Sequence, residues 1–163
     1  MRTRKHWMIA VGVLLTAVVA CSDDDNGGTG TDTEFEALLS GTNEVPAVNT
    51  IATGSATISI QGAQIVYQVD VQDIENVLVS HIHIAPEGEN GPVQLNLCGT
   101  TDTPGCSTTG TGTLVSDSNG VTASPPVITF DSLVSAIRAG NAYVNVHTTA
   151  NTGGEIRGQI TPQ

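Results

Sequence analysis

Three histidines are the residues of this 163-residue chain best suited to chemistry. His81 and His83 alternate with Ile82 and Ile84, and His147 closes a second segment that alternates in the same way. Side chains two residues apart in a β-strand lie on one face, about 7 Å apart. If the two segments are neighbouring strands, the three imidazoles converge. Neutral imidazole nitrogens suit copper and zinc, so this pattern is typical of a metal site with one open coordination position.

Other polar residues are expected on the same outer face, because the valines and isoleucines that alternate with them should point into the core. These candidates for orienting the histidines or contacting a ligand are Tyr143, Asn145, Glu155 and Arg157. Arg157 either presents its guanidinium to a carboxylate ligand or pairs with Glu155, two residues away on the same strand face. We favour the ion pair.

A structural network is the alternative to a metal site. In that network His81 and His83 hydrogen-bond to Glu155, Asn145 or loop backbone and orient the sheet, and this is the interpretation that we favour. The chain has no Ser-His-Asp order, no nucleotide-binding glycine loop and no clear pair of catalytic carboxylates. A binding protein is therefore expected rather than an enzyme.

The N-terminus has the features of a secretory signal peptide, predicted at residues 1–20. Three basic residues precede an apolar run at 8–19, which is too short to span a bilayer as a helix. The run ends in Val18-Val19-Ala20-Cys21, which resembles the lipobox of bacterial lipoproteins. We therefore expect a lipid on Cys21 and a place in the bacterial cell envelope, periplasmic or surface-exposed, and on the outer membrane if the cell is Gram-negative.

Residues 21–33 are polar and acidic, which predicts a flexible tether between the lipid and the domain. All 16 acidic residues follow Cys21, whereas Arg138 and Arg157 are the only basic residues that do, so the mature protein is more acidic than the whole-chain charge of −11. A nucleic-acid partner is excluded, because no cationic surface exists to neutralise phosphates. The expected partners are the membrane, through the lipid on Cys21, and a protein or glycan that the sequence does not identify.

The chain has three cysteines, which is an odd number for a secreted protein. Lipidation of Cys21 removes the odd thiol and leaves Cys98 and Cys106 to pair in an oxidising compartment. The two flank a Gly/Pro/Thr segment that can bend back on itself. The spacing is not Cys-x-x-Cys, so we predict a structural disulfide rather than a redox pair.

Residues 34–163 are expected to form one domain, with an all-β fold: a Greek-key-like antiparallel β-sandwich with one short helix. Alternation of apolar and polar residues predicts strands at 35–40, 56–60, 65–71, 79–84, 93–97, 111–115, 142–148 and 155–161. Hairpins or tight corners are predicted at Gln61-Gly62, Asn119-Gly120 and Gly153-Gly154. The helix is predicted at 132–139, with Asp131 as N-cap and Gly140 in the left-handed C-terminal position.

Several segments carry a family resemblance, among them His81-Ile82-His83, Asn90-Gly91-Pro92-Val93, Asn43-Glu44-Val45-Pro46, Ala142-Tyr143-Val144-Asn145-Val146-His147 and Gly154-Glu155-Ile156-Arg157-Gly158. Together they resemble a CHRD domain, the module named after chordin, from about Phe35 to Ile160. The resemblance implies a β-rich extracytoplasmic module whose biochemical activity is not settled. We therefore predict a lipid-anchored envelope protein with a single CHRD domain that acts as a binding or interaction module.

The order His-x-His, a later histidine and an arginine near the C-terminus is also similar to the copper side of copper–zinc superoxide dismutase, another β-sandwich. This resemblance implies the alternative function, a copper or zinc protein that uses His81, His83 and His147, with or without redox activity like that of the dismutase. The mature chain has only these three histidines. The fourth copper ligand and the zinc ligand set of that family are therefore missing.

Overall fold

The computed structural model describes residues 33–107, 109–121 and 128–163, and the predicted signal peptide, Cys21 and the predicted tether up to residue 32 lie outside these ranges. The elements within them are β1 (Glu34–Ser40), a 3₁₀ turn (Gly41–Asn43), β2 (Thr53–Gln61), β3 (Gln64–Glu75), β4 (Val77–Ile84), β5 (Val93–Cys98), β6 (Thr109–Val121), α1 (Phe130–Arg138), β7 (Ala142–Thr148), β8 (Ile156–Gln159) and β9 (Thr161–Pro162). None of the helices in this part of the chain has the length and apolar character that crossing a bilayer requires.

The strands form one antiparallel sheet with the order β5-β4-β7-β8-β1-β2-β3-β6, and β9 pairs with β1. The sheet folds over so that its two halves face each other. Tyr67 on β3 thereby reaches β5, where its hydroxyl donates a hydrogen bond to the Leu97 carbonyl at 2.8 Å. The predicted all-β antiparallel fold with one short helix is confirmed, and its two layers are halves of a single sheet.

The inner faces of both halves form one aliphatic core, as the strand alternation predicts. The side chains that β4, β7 and β8 contribute to it are fully buried: Ile82, Val144, Val146 and Ile156. They belong to the same cluster as Phe35 and Ile58 from the other half of the sheet. Consequently, the polar side chains that alternate with these residues, among them His81, His83, Tyr143, Asn145, His147 and Arg157, lie on the opposite, outer face.

The helix lies close to its predicted position but starts earlier. Thr129, and not Asp131, is the N-cap, since the Thr129 hydroxyl accepts a hydrogen bond from the Ser132 amide. The prediction of Asp131 as N-cap was therefore wrong. Asp131 lies in the first turn, where its negative charge interacts favourably with the positive end of the helix dipole. Gly140 has φ of +67°, which confirms the predicted left-handed position after the helix.

The turn predictions have a mixed outcome. Gln61-Gly62 connects the hairpin of β2 and β3, and Gly153-Gly154 lies in the connection between β7 and β8. Asn119-Gly120 is not a hairpin, because it lies inside β6 where the pairing with β3 shifts register. The strand predicted at 155–161 is divided into β8 and β9 at Ile160, whose amide donates to the Ala142 carbonyl.

Cys98 and Cys106 form the predicted disulfide. Cys98 ends β5 and is fully buried, and Cys106 packs against the core from the loop that follows. The bond thus fastens the 99–105 loop to the last residue of an edge strand.

We predict that reduction of this disulfide destabilises the domain without unfolding it. A loop this short gives about 2.5 kcal/mol in the chain-entropy description, which corresponds to a fall in Tm of roughly 5–12 °C. Thermal unfolding with and without reductant measures the change. Alkylation followed by peptide mass spectrometry should find no free thiol at Cys98 or Cys106 before reduction, and free thiols there in oxidised protein would contradict the prediction.

Candidate metal centre

The antiparallel pairing of β4 with β7 brings the three histidines together on the outer face. His81 is paired with Asn145, His83 with Tyr143, and His147 with Val79, so the imidazoles occupy adjacent positions on two neighbouring strands. One ring nitrogen from each of the three lies within 4.8 Å of the other two. The convergence expected from strand alternation is therefore present.

Hydrogen bonds to backbone carbonyls fix the tautomers of two of these histidines. Nδ1 of His83 lies 2.9 Å from the Gly91 carbonyl oxygen, and Nδ1 of His147 lies 2.9 Å from the Thr152 carbonyl oxygen. A carbonyl oxygen only accepts, so each Nδ1 carries the proton and each Nε2 presents a lone pair. Metal-binding histidines are commonly oriented in this way by a carbonyl behind the ring.

One pair of the candidate ligand nitrogens lies at the spacing that one ion needs. Without a metal, His81 Nδ1 donates to His147 Nε2, because Nδ1 of His147 already carries the proton of that ring. Nδ1 of His81 is 3.2 Å from Nε2 of His147, close to the separation of about 3.3 Å between two nitrogens bound tetrahedrally at 2.0–2.1 Å. The other separations extend up to 4.8 Å, so the rings must approach one another by up to about 1.5 Å to complete a tetrahedral set. The residue types suit zinc or copper, and binding one ion with all three would require this movement.

The environment favours the neutral imidazoles that a metal requires. Burial, together with the neighbouring His147 and His83, lowers the pKa of His81 to about 4. Burial also lowers the pKa of His83 and His147, although the carbonyls of Gly91 and Thr152 act in the opposite direction. The group is therefore uncharged at neutral pH and does not have to lose protons before it binds a cation.

Much of the outer face that carries the histidines is buried, whereas His81 and His147 themselves are half-buried. His83 is 8% exposed, and Tyr143, Asn145 and Arg157 are each 3% exposed. Two loops cover them: the 41–52 loop between β1 and β2, and the 85–92 loop between β4 and β5. The strands alternate as predicted, but their polar residues form a second buried layer beneath these loops.

Arg157 binds both loops and does not form the predicted pair with Glu155. Its Nε donates to the Asn43 carbonyl at 2.9 Å, and its Nη1 donates to the Glu89 carbonyl at 3.1 Å and to Asn90 Oδ1 at 3.0 Å. Its Cζ lies 4.4 Å from the centroid of the Tyr143 ring. The guanidinium therefore connects the two loops to the sheet.

Glu155 has partners of its own, which explains why it is not available to Arg157. Its carboxylate accepts hydrogen bonds from the hydroxyls of Thr50, at 2.8 Å, and Thr148, at 2.6 Å. Burial acts to raise the pKa of Glu155, but the hydrogen bonds from Thr148, Thr50 and Asn151 lower it overall. It remains ionised and holds the end of the 41–52 loop against β7.

Glu44 and Gly91 are site residues that the strand patterns did not single out. The Glu44 carboxylate is 6% exposed and accepts a hydrogen bond from Asn145 Nδ2 at 2.7 Å. Gly91 passes so close to Ile84 that a Cβ would clash with the Ile84 carbonyl. Both lie in segments quoted above for the family resemblance, which is the signal that pointed to them.

The fold and the histidine group define an all-β module with a largely covered polar site. The family model of the CHRD domain matches residues 35–160, and the chain belongs to this family. No curated protein and no solved structure matches the chain significantly. The family match covers both loops and all three histidines.

We predict that Glu44→Gln makes the protein more stable at alkaline pH and equally stable in mild acid. Burial raises the pKa of Glu44 from 4.5 to about 7, against the opposing effects of Arg157, the Val45 amide and Asn145. The ionised carboxylate therefore costs stability above pH 7, and this cost disappears as the pH falls from about 7 to 4.5. The variant should be about 1–3 kcal/mol more stable at about pH 8, with no difference at about pH 4.5.

Denaturant unfolding of both proteins at several pH values gives this difference directly. Glu87→Gln is the matched control, because Glu87 is exposed. If the difference in unfolding free energy between Glu44→Gln and the wild type stayed constant with pH, it would contradict the cost assigned to burying the ionised Glu44 carboxylate.

Proposed function

We propose that this CHRD protein binds one copper or zinc ion through His81, His83 and His147. The observation that carries the proposal is the state of His83: its Nε2 is buried and has no hydrogen-bond partner in the described part of the chain. The Gly91 carbonyl holds this ring with the lone pair on that atom. An unpaired buried polar atom is costly, and a bound cation would satisfy it.

The ligand set favours these two metals over hard cations. Three imidazoles and no carboxylate suit zinc or copper, whereas calcium and magnesium prefer oxygen ligands. Three protein ligands leave a position open for water or another small ligand. An open position on copper would also permit redox chemistry, and a redox-active copper site is the more specific form of this proposal.

We expect the full-length protein, purified without a His-tag, to bind one zinc or copper ion in isothermal titration calorimetry. His81→Ala and His147→Ala should each lower the affinity by more than about 100-fold, because loss of a ligand exceeds the 10–100-fold cost of losing its supporting residues. Asp73→Asn is the control: it removes a carboxylate from the acidic cleft lined by Asp73, Glu75 and Glu155 and should leave metal affinity unchanged.

Circular dichroism of each variant separates loss of binding from loss of fold. If wild-type protein binds no metal, or if Asp73→Asn loses binding while the histidine variants keep it, the three-histidine site is wrong. The histidines would then belong to a structural polar network, and the interaction-module function would stand alone.

We further propose that the protein is held in the cell envelope by a lipid on Cys21 and displays the domain to a protein or glycan partner. The disulfide supports an oxidising compartment. Ile51, on the 41–52 loop, is 80% exposed, and Leu38 on β1 is 70% exposed. Exposed aliphatic side chains of this kind are available to a partner.

Cys21→Ser should prevent membrane attachment, because the thiol is the atom that accepts the diacylglycerol. Metabolic labelling with a palmitate analogue, followed by membrane fractionation, measures the effect. The variant should lose the label and leave the membrane fraction, whereas Ser22→Ala should behave like the wild type. Unchanged labelling of Cys21→Ser would overturn the lipoprotein proposal.

A further inference from the structure

One peptide unit in the 85–92 loop connects the loop to the histidine group. The Gly91 carbonyl accepts the Nδ1 proton of His83 at 2.9 Å, and the Gly91 amide donates to the Tyr143 hydroxyl at 3.3 Å. Gly91 is thus bound at both of its polar atoms by side chains of two neighbouring strands. Any shift of this part of the loop disturbs the hydrogen bond that orients His83.

Tyr143 contacts His83 directly as well as through Gly91. The two rings are stacked, with centroids 4.8 Å apart and planes within 5° of parallel. Tyr143 is also the ring over which Arg157 lies, and Arg157 Nη1 holds the Glu89 carbonyl of the same loop. His83, Tyr143 and Arg157 therefore form one packed group, and each of the three hydrogen-bonds to the 85–92 loop.

A cation on His83 would strengthen the connection to the loop. Coordination at Nε2 draws electron density from the ring and makes the Nδ1 proton a better donor, so the bond to the Gly91 carbonyl tightens. Conversely, a loop held in place keeps the Nε2 lone pair aimed at the ion. Metal binding therefore favours the ordered loop, and the ordered loop favours metal binding by the same free energy.

We propose that metal binding at the three histidines and ordering of the 85–92 loop are one coupled event, with Tyr143 as the positioning residue that transmits it. This inference rests on the proposed metal site and adds a regulated surface to it. Pro86, Glu87, Gly88, Glu89 and Asn90 are exposed at the tip of the loop. The metal thereby controls the shape of a surface that a partner can contact.

The test is hydrogen–deuterium exchange of the full-length protein with and without Zn²⁺, together with zinc calorimetry. Zinc should slow amide exchange in the 85–92 loop of the wild type by about 10-fold or more, because opening the loop then requires weakening of the metal site. Tyr143→Phe keeps the stacked ring but removes the acceptor of the Gly91 amide. It should lower zinc affinity about 3–10-fold and reduce the zinc-dependent protection.

Tyr67→Phe is the matched control, since it removes the hydroxyl of another buried tyrosine. That hydroxyl bonds to the Leu97 carbonyl rather than to the loop. Tyr67→Phe should keep wild-type zinc affinity and wild-type protection of the loop. Unfolding curves of both variants give the change in stability that the lost hydroxyl causes by itself.

The outcomes separate this inference from the proposed function. Zinc binding with no change of exchange in the loop would overturn the coupling and leave the metal site intact. Equal effects of Tyr143→Phe and Tyr67→Phe on zinc affinity would overturn the role of Tyr143. Absence of both zinc and copper binding by the wild type would overturn both the site and the coupling.

Discussion

The buried guanidinium of Arg157 is the interaction on which the functional face depends. Arg157 is 3% exposed and holds the backbone of both covering loops, through Asn43 and Glu89. A buried cation is costly unless its donors are used, and here two of its three nitrogens bind oxygen atoms of the loops. Arginine suits this position because its planar, always charged group can donate to several acceptors at once.

Because the loops are fixed in this way, β7 is buried on both faces although its sequence alternates between apolar and polar residues. Its valines belong to the aliphatic core, whereas Tyr143 and Asn145 belong to the polar layer under the loops. In that layer the structural network and the proposed metal site are not competing arrangements. The carbonyl contacts that orient His83 and His147 are network contacts, and they are also what leaves a lone pair on each Nε2.

Much of the strand content could be predicted from sequence because alternation is a local property. The pattern in Ala142–Thr148 identified β7 and assigned its valines and its polar residues to opposite faces. The burial of the polar face was not predictable in this way, since it depends on contacts such as Glu44 with Asn145, which are 101 residues apart.

The mistaken ion pair has a related cause. Residues 155 and 157 share a face, but each carries side-chain bonds to a distant loop that alternation does not reveal. The N-cap was misplaced because Thr129 and Asp131 both have side chains suited to that role, and only the backbone geometry decides between them.

X-ray absorption spectroscopy of the metal-loaded protein tests the central claim most directly, because it reports the atoms bound to the ion. The three-histidine site predicts a first shell with imidazole nitrogens at about 2.0–2.1 Å for zinc, together with the outer-shell scattering of about three imidazole rings. A first shell of oxygen atoms alone, without imidazole scattering, would place the ion elsewhere and contradict the account.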